Sequence, residues 1–105
     1  MLHVYPVVLE ALRALRPSLE TIERRDADLA RQLRRAAASV ALNTAEGMGS
    51  RGKNRGARYA TALGSARETL AALEVAEALG YIEALRPEVR AQLDRIVGTL
   101  VRLAR

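Results

Sequence analysis

The residues best suited to chemistry are compressed between Gly47 and Arg58, where glycines alternate with cationic side chains: Gly47-Met48-Gly49-Ser50-Arg51-Gly52-Lys53-Asn54-Arg55-Gly56-Ala57-Arg58. Gly47 to Gly52 satisfies the GxGxxG spacing of dinucleotide-binding turns, and Gly47 through Lys53 approaches the phosphate loop of nucleotide hydrolases. Both chemistries need a strand feeding the glycines, and the phosphate loop needs Ser or Thr after its lysine to help hold magnesium. Here a long Ala-rich, helix-patterned segment precedes the glycines and Asn54 follows Lys53, so nucleotide chemistry is not the expected use. What remains is a glycine-rich turn carrying Arg51, Lys53, Arg55 and Arg58 into the start of a helix. Cations there oppose the preference for acidic side chains at the positive end of a helix dipole. Free backbone N–H groups and these cations together suit phosphate oxygens. A solvated loop whose charge serves only solubility accounts for the same residues.

Other reactive groups are sparse. His3 is the sole histidine and cysteine is absent, so neither a transition-metal site, a thiol nucleophile nor a disulfide is expected. No cofactor is implied. Tyr59 could stack on a base, but its place on an inward helical stripe favours a core position. Glu68 has Thr61, Gly64, Ser65, Ala72 and Val75 on its side of a helix, and a carboxylate among small residues calls for a partner. With Asn43, Glu46 and Ser65 it is read as part of a set of interhelix hydrogen bonds rather than an acid-base pair, and the chain is expected not to be an enzyme.

These residues need elements to hold them, and the composition points to helices. The 105 residues suffice for one compact core, taken as a single domain spanning 1–105. Hydrophobic residues make up 50%, with Ala and Leu abundant and aromatics limited to three tyrosines, a mixture of good helix formers. Helical periodicity places Val4, Val8, Ala11, Leu15 and Ile22 on one stripe, with Pro17 expected to kink or interrupt it near Arg16. Asp26 is a candidate N-cap for a second helix with Leu29, Leu33, Ala36, Val40 and Thr44 inward, ended by Gly47, Gly49 and Gly52. A third runs from about Asn54 to Leu79 with Tyr59, Leu63, Ala66, Leu70 and Leu73 inward and stops at Gly80. Pro87 suits the first turn of a fourth, whose stripe is Val89, Leu93, Ile96, Leu100 and Leu103. Short connections predict an all-α, antiparallel up-down-up-down four-helix bundle.

Two surface features bear on partners. The net charge of +5 is uneven: residues 51–70 carry five basic and one acidic side chain, whereas 71–105 carry five of each. Such a local excess points to an anionic partner. On the second helix Ala38, Leu42 and Ala45 project opposite the inward stripe, with Arg31 and Arg35 continuing that outer face, and small residues there permit close helix approach. Self-association is the favoured use of the strip, ordinary exposed surface the alternative. No segment reaches the roughly twenty apolar residues a bilayer crossing needs. Nothing at the N-terminus resembles a signal peptide, and a cytoplasmic location is expected.

The run Gln32-Leu33-Arg34-Arg35-Ala36-Ala37-Ala38-Ser39-Val40-Ala41-Leu42-Asn43-Thr44-Ala45-Glu46-Gly47 resembles the signature of bacterial four-helix-bundle proteins called 23S rRNA intervening-sequence proteins. Ala62-Leu63-Gly64-Ser65-Ala66-Arg67-Glu68 is similar to their second motif, and Leu79-Gly80-Tyr81-Ile82 to the end of their third helix. The family's glycine loop commonly reads Glu-Gly-x-Gly-Arg, whereas here Ser50 separates Gly49 from Arg51. A related branch, the accessory variability protein of diversity-generating retroelements, forms a pentameric barrel that binds nucleic acid and a reverse transcriptase. The resemblance therefore implies a homopentamer, with a reverse transcriptase as a possible partner. The local charge excess points to RNA or DNA binding through phosphates, with Arg51, Lys53, Arg55 and Arg58, joined by Arg31 and Arg35, as the candidate contacts, and with low specificity because few residues there could read bases. A structural scaffold that recruits a protein without touching nucleic acid is the alternative.

Overall fold

The computed structural model describes residues 4–105 and consists of four α-helices: α1 Val4–Arg25, α2 Ala27–Gly49, α3 Lys53–Ala78 and α4 Pro87–Leu103. No strand occurs among the described residues, and no helix there is long and apolar enough to cross a membrane. His3 lies outside the described residues.

In α1 the buried residues are the expected stripe, Val4, Val8, Ala11, Leu15 and Ile22. The helix runs unbroken through Pro17, so of the expected kink or interruption near Arg16 the interruption does not occur. Pro17 and Arg13, the residue whose carbonyl loses its donor, both lie on the exposed side of the helix, where water can take the donor's place. Asp26 alone links α1 to α2: its backbone is extended (φ −157°, ψ 94°) and its carboxylate accepts from Leu29 N at 3.0 Å, satisfying a helix-start donor as an N-cap should. Partial burial, then the charge of Asp26 and a hydrogen bond to it, push the Tyr81 hydroxyl above its ordinary pKa of 10.0, against the opposing effect of Arg25.

The buried face of α2 comprises Ala30, Leu33, Ala36, Val40, Ala41, Thr44 and Gly47. Leu29, placed inward by periodicity, is half-buried. On α3 the buried residues are Tyr59, Ala62, Ala66, Thr69, Ala72, Leu73 and Ala76, and the expected Leu63 and Leu70 are half-buried at its flank. Small side chains line this helix because α3 makes its most extensive contact with α2, and alanine lets two backbones approach where leucine holds them apart. Gly80, at φ +76°, adopts the left-handed conformation that closes α3, with Tyr81 N donating to Ala76 O at 2.8 Å. Pro87 opens α4, whose Val89, Leu93, Ile96 and Leu100 are buried.

Each helix packs against its neighbours in chain order, and α4 returns to α1. Cross-links mark the pairings: Glu23–Arg34 at 2.6 Å, Ser39–Ser65 at 2.7 Å, Glu46–Arg58 at 3.1 Å and Glu74–Arg90 at 3.4 Å. Leu33 is 1% exposed at the centre of the packing. Its replacement by Ala should lower unfolding free energy by about 2–5 kcal/mol in urea denaturation. Asp26→Ala should cost about 1 kcal/mol through loss of the cap; an equal effect from both substitutions would contradict this division.

Candidate nucleic-acid interface

The expected glycine loop is shorter than its composition suggests. Gly47 and Gly49 belong to α2, leaving Ser50, Arg51 and Gly52 as the connection, so the glycines after Val40 do not end the helix where periodicity placed its end. Gly47 is buried against Tyr59: a Cβ there would lie 2.7 Å from the ring's Cε1. Close approach of an aromatic ring explains this glycine. Gly52, at φ +61°, provides the turn.

The connection is held by local bonds. Ser50 N donates to Gly47 O at 3.2 Å and Ser50 Oγ to Glu46 O at 2.7 Å. Arg55 Nε donates to Ser50 O at 3.0 Å. No side chain caps the start of α3, so its first N–H groups have no side-chain acceptor. Arg51, Lys53, Arg55 and Arg58 are all exposed. Arg58 pairs with Glu46 across α2 and α3, each about half exposed at 51% and 55%, and water weakens such a pair. Arg51, Lys53 and Arg55 form no ion pair among the described residues.

Arg31 and Arg35 do not join this group. Both are exposed on α2, but Arg31 is paired with Asp28 at 2.9 Å, and Arg35 precedes the end of α2 by fourteen residues, which is about 21 Å at about 1.5 Å per residue. They lie on the body of the helix, away from the turn.

Among the expected structural polar residues, Asn43 Nδ2 donates to Ser39 O and Ser39 Oγ, both at 3.0 Å, while Ser65 Oγ donates to Ser39 Oγ at 2.7 Å. Ser39 is the hub that sequence reasoning missed; a lone serine among alanines, facing a second serine on the next helix, was its only signal. Glu46 serves through Arg58. Glu68 is a correction: it is exposed, with no hydrogen bond or ion pair among the described residues. The register of α3 turns Ser65 and Thr69 toward α2 and leaves the glutamate on the solvent side. Tyr59 is fully buried, as its stripe implied, which removes it from base stacking. Its hydroxyl and that of Thr44 are buried without partners among the described residues.

Ala38, Leu42 and Ala45 are exposed, Leu42 at 64%. Beside Ala38 is an apolar hollow of about 180 Å³ lined by Leu12, Leu15, Leu19, Leu33, Arg34 and Ala37. A second cleft, of about 620 Å³, lies between α1 and the α3–α4 connection and includes Thr21, Arg25, Tyr81 and Arg86 but none of the turn cations.

The family model described as 23S rRNA-intervening sequence protein matches residues 10–102. The chain belongs to this family. No curated protein and no solved structure matches it. Two of the three segments that resemble the intervening-sequence family meet in space: Gln32–Gly47 lies within α2 and Ala62–Glu68 within α3, in contact at Ser39 and Ser65, while Leu79–Ile82 follows the end of α3. The basic turn joins those two helices and lies inside the matched span.

Because the ring of Tyr59 cannot retreat from a filled interior, Gly47→Ala should destabilise the protein by about 1–3 kcal/mol. Tyr59→Phe should be neutral or stabilising, since it removes a buried hydroxyl that has no partner. Chemical denaturation of the two variants checks both signs; a Tyr59→Phe loss comparable to that of Gly47→Ala would show that the hydroxyl is bonded.

Proposed function

We propose that the protein is a non-enzymatic accessory protein that binds RNA or DNA through phosphates, using the turn and first helical residues Arg51, Lys53, Arg55 and Arg58. The observation that carries this reading is the exposure of Arg51, Lys53 and Arg55 without ion-pair partners among the described residues, on a connection pinned by Ser50 and Gly52. Unpaired cations lose little on meeting a phosphate, and a held backbone has less freedom to surrender. Sequence selectivity is weak in this reading, because with Tyr59 buried no aromatic side chain near the turn is available to read bases.

The working unit is a single domain with up-down-up-down helices, a reading supported by the Glu23–Arg34, Ser39–Ser65, Glu46–Arg58 and Glu74–Arg90 pairings. It assembles into a cyclic homo-oligomer in the cytoplasm. Exposed Leu42 is a knob and the hollow beside Ala38 a hole; different patches meeting head to tail generate a ring when the rotation closes. Five subunits, and a reverse transcriptase as protein partner, follow the resemblance to the retroelement branch. That apolar strip also favours the second reading, a scaffold that seats a protein partner without touching nucleic acid.

Titration of labelled RNA and duplex DNA with the wild type and the Arg51→Ala, Lys53→Ala, Arg55→Ala, Arg58→Ala quadruple variant tests the binding reading. Engagement of about six phosphates gives a log–log salt slope of roughly −5 on duplex DNA, and the variant should bind far more weakly at low salt. Equal binding by both proteins excludes the turn, and no binding by the wild type leaves the scaffold. Light scattering tests assembly: Leu42→Arg should yield helical monomers, because a buried unpaired charge is costly, and a wild type already at 11.4 kDa would rule out the ring.

A further inference from the structure

Arg102 and Arg105 lie far from the basic turn in sequence, yet packing brings their helix end onto it. A Cβ on Gly56, in the first turn of α3, would lie 3.6 Å from Ala104 O and 3.8 Å from Arg105 O. Arg102 and Arg105 are exposed, and neither has an ion-pair partner among the described residues. Arg102 makes only a long 3.4 Å contact to Thr99 Oγ1. Residues 38–65 and 96–105 together hold six basic side chains against Glu46 alone, an excess of five that equals the net charge of the whole chain. The remaining residues hold eleven of each sign, and four of the five ion pairs among the described residues lie there.

We propose that Arg102 and Arg105 are phosphate-contacting residues of one basic end face, shared with Arg51, Lys53 and Arg55, whose ligand is the phosphodiester backbone of a nucleic acid. The inference rests on the binding reading above and extends it from one turn to two helix ends. Charge complementarity argues for a polyanion: a run of evenly spaced phosphates can engage cations that arrive from two elements at once, whereas a single small anion reaches only one or two of them. Carbonyls at the end of α4 lie beside the start of α3 and soften its positive end, so the side chains rather than the helix dipole supply the attraction.

The test is salt-dependent binding of labelled duplex DNA and of a single-stranded RNA to four full-length proteins: wild type, Arg102→Gln with Arg105→Gln, Arg51→Gln with Lys53→Gln and Arg55→Gln, and Arg24→Gln with Arg25→Gln as a same-charge control. Circular dichroism verifies that each keeps its helices. On duplex DNA the Arg102/Arg105 variant should lose about 0.9 from the magnitude of the log–log salt slope for each contact removed, and the Arg24/Arg25 control should keep the wild-type slope. Loss of binding in the turn variant alone, with the Arg102/Arg105 variant unchanged, overturns this inference and leaves the turn reading standing. Equal loss in the Arg24/Arg25 control overturns it too, by showing that net charge and not position matters. Failure of the wild type to bind at low salt removes both readings together.

Discussion

The close contact of α2 with α3 is the constraint on which the other features depend. Alanines on both helices, Gly47 opposite Tyr59 and Ser39 opposite Ser65 set the spacing and register of this pair. Interiors packed to crystal-like density tolerate little change in volume, so a ring seated on a glycine fixes where α3 begins relative to the end of α2. The three-residue connection follows from that register, and with it the positions of Arg51, Lys53 and Arg55 at the tip of the helix pair.

Polar groups divide between two tasks. Ser39, Asn43 and Ser65 satisfy one another inside the helix pair, where an unpaired group would be costly. The ion pairs Glu23–Arg34, Glu74–Arg90 and Asp28–Arg31 lie on exposed flanks and contribute modestly in water. Arg51, Lys53 and Arg55 at the turn, and Arg102 and Arg105 at the end of α4, lack such partners among the described residues. That contrast, more than the overall charge of +5, gives the binding proposal its location.

In the proposed assembly, the exposed Leu42 of one copy would meet the apolar hollow lined by Ala37 and Ala38 of the next. Repetition would matter energetically in the proposed ring: a weak phosphate contact made once per subunit becomes strong when several are made on one polyanion, because later contacts are intramolecular. Binding and assembly would reinforce one another without a deep pocket or a reactive side chain.

Helix number, the Asp26 cap, the Gly80 stop, the Pro87 start and the inward stripe of α1 were legible in the sequence, because capping, turn conformation and strong amphipathic periodicity act over a few residues. The cationic character of residues 51–58 was legible for the same reason, and the matched family agrees with the motifs quoted from α2 and α3. The sequence was less informative where amphipathicity is weak: in α3 Leu73 is buried as expected, but Leu63 and Leu70 lie at the flank and alanines fill much of the contact. Only tertiary structure decided that Pro17 leaves α1 unbroken, that Gly47 lies within α2 with the Tyr59 ring against it, and that Glu68 faces water while Ser39 organises its neighbours. It also decided that Arg31 and Arg35 stand apart from the turn and that the end of α4, at Ala104 and Arg105, meets the start of α3. Local rules state what a residue prefers; which distant side chain or helix end meets it is set by how the helices pack.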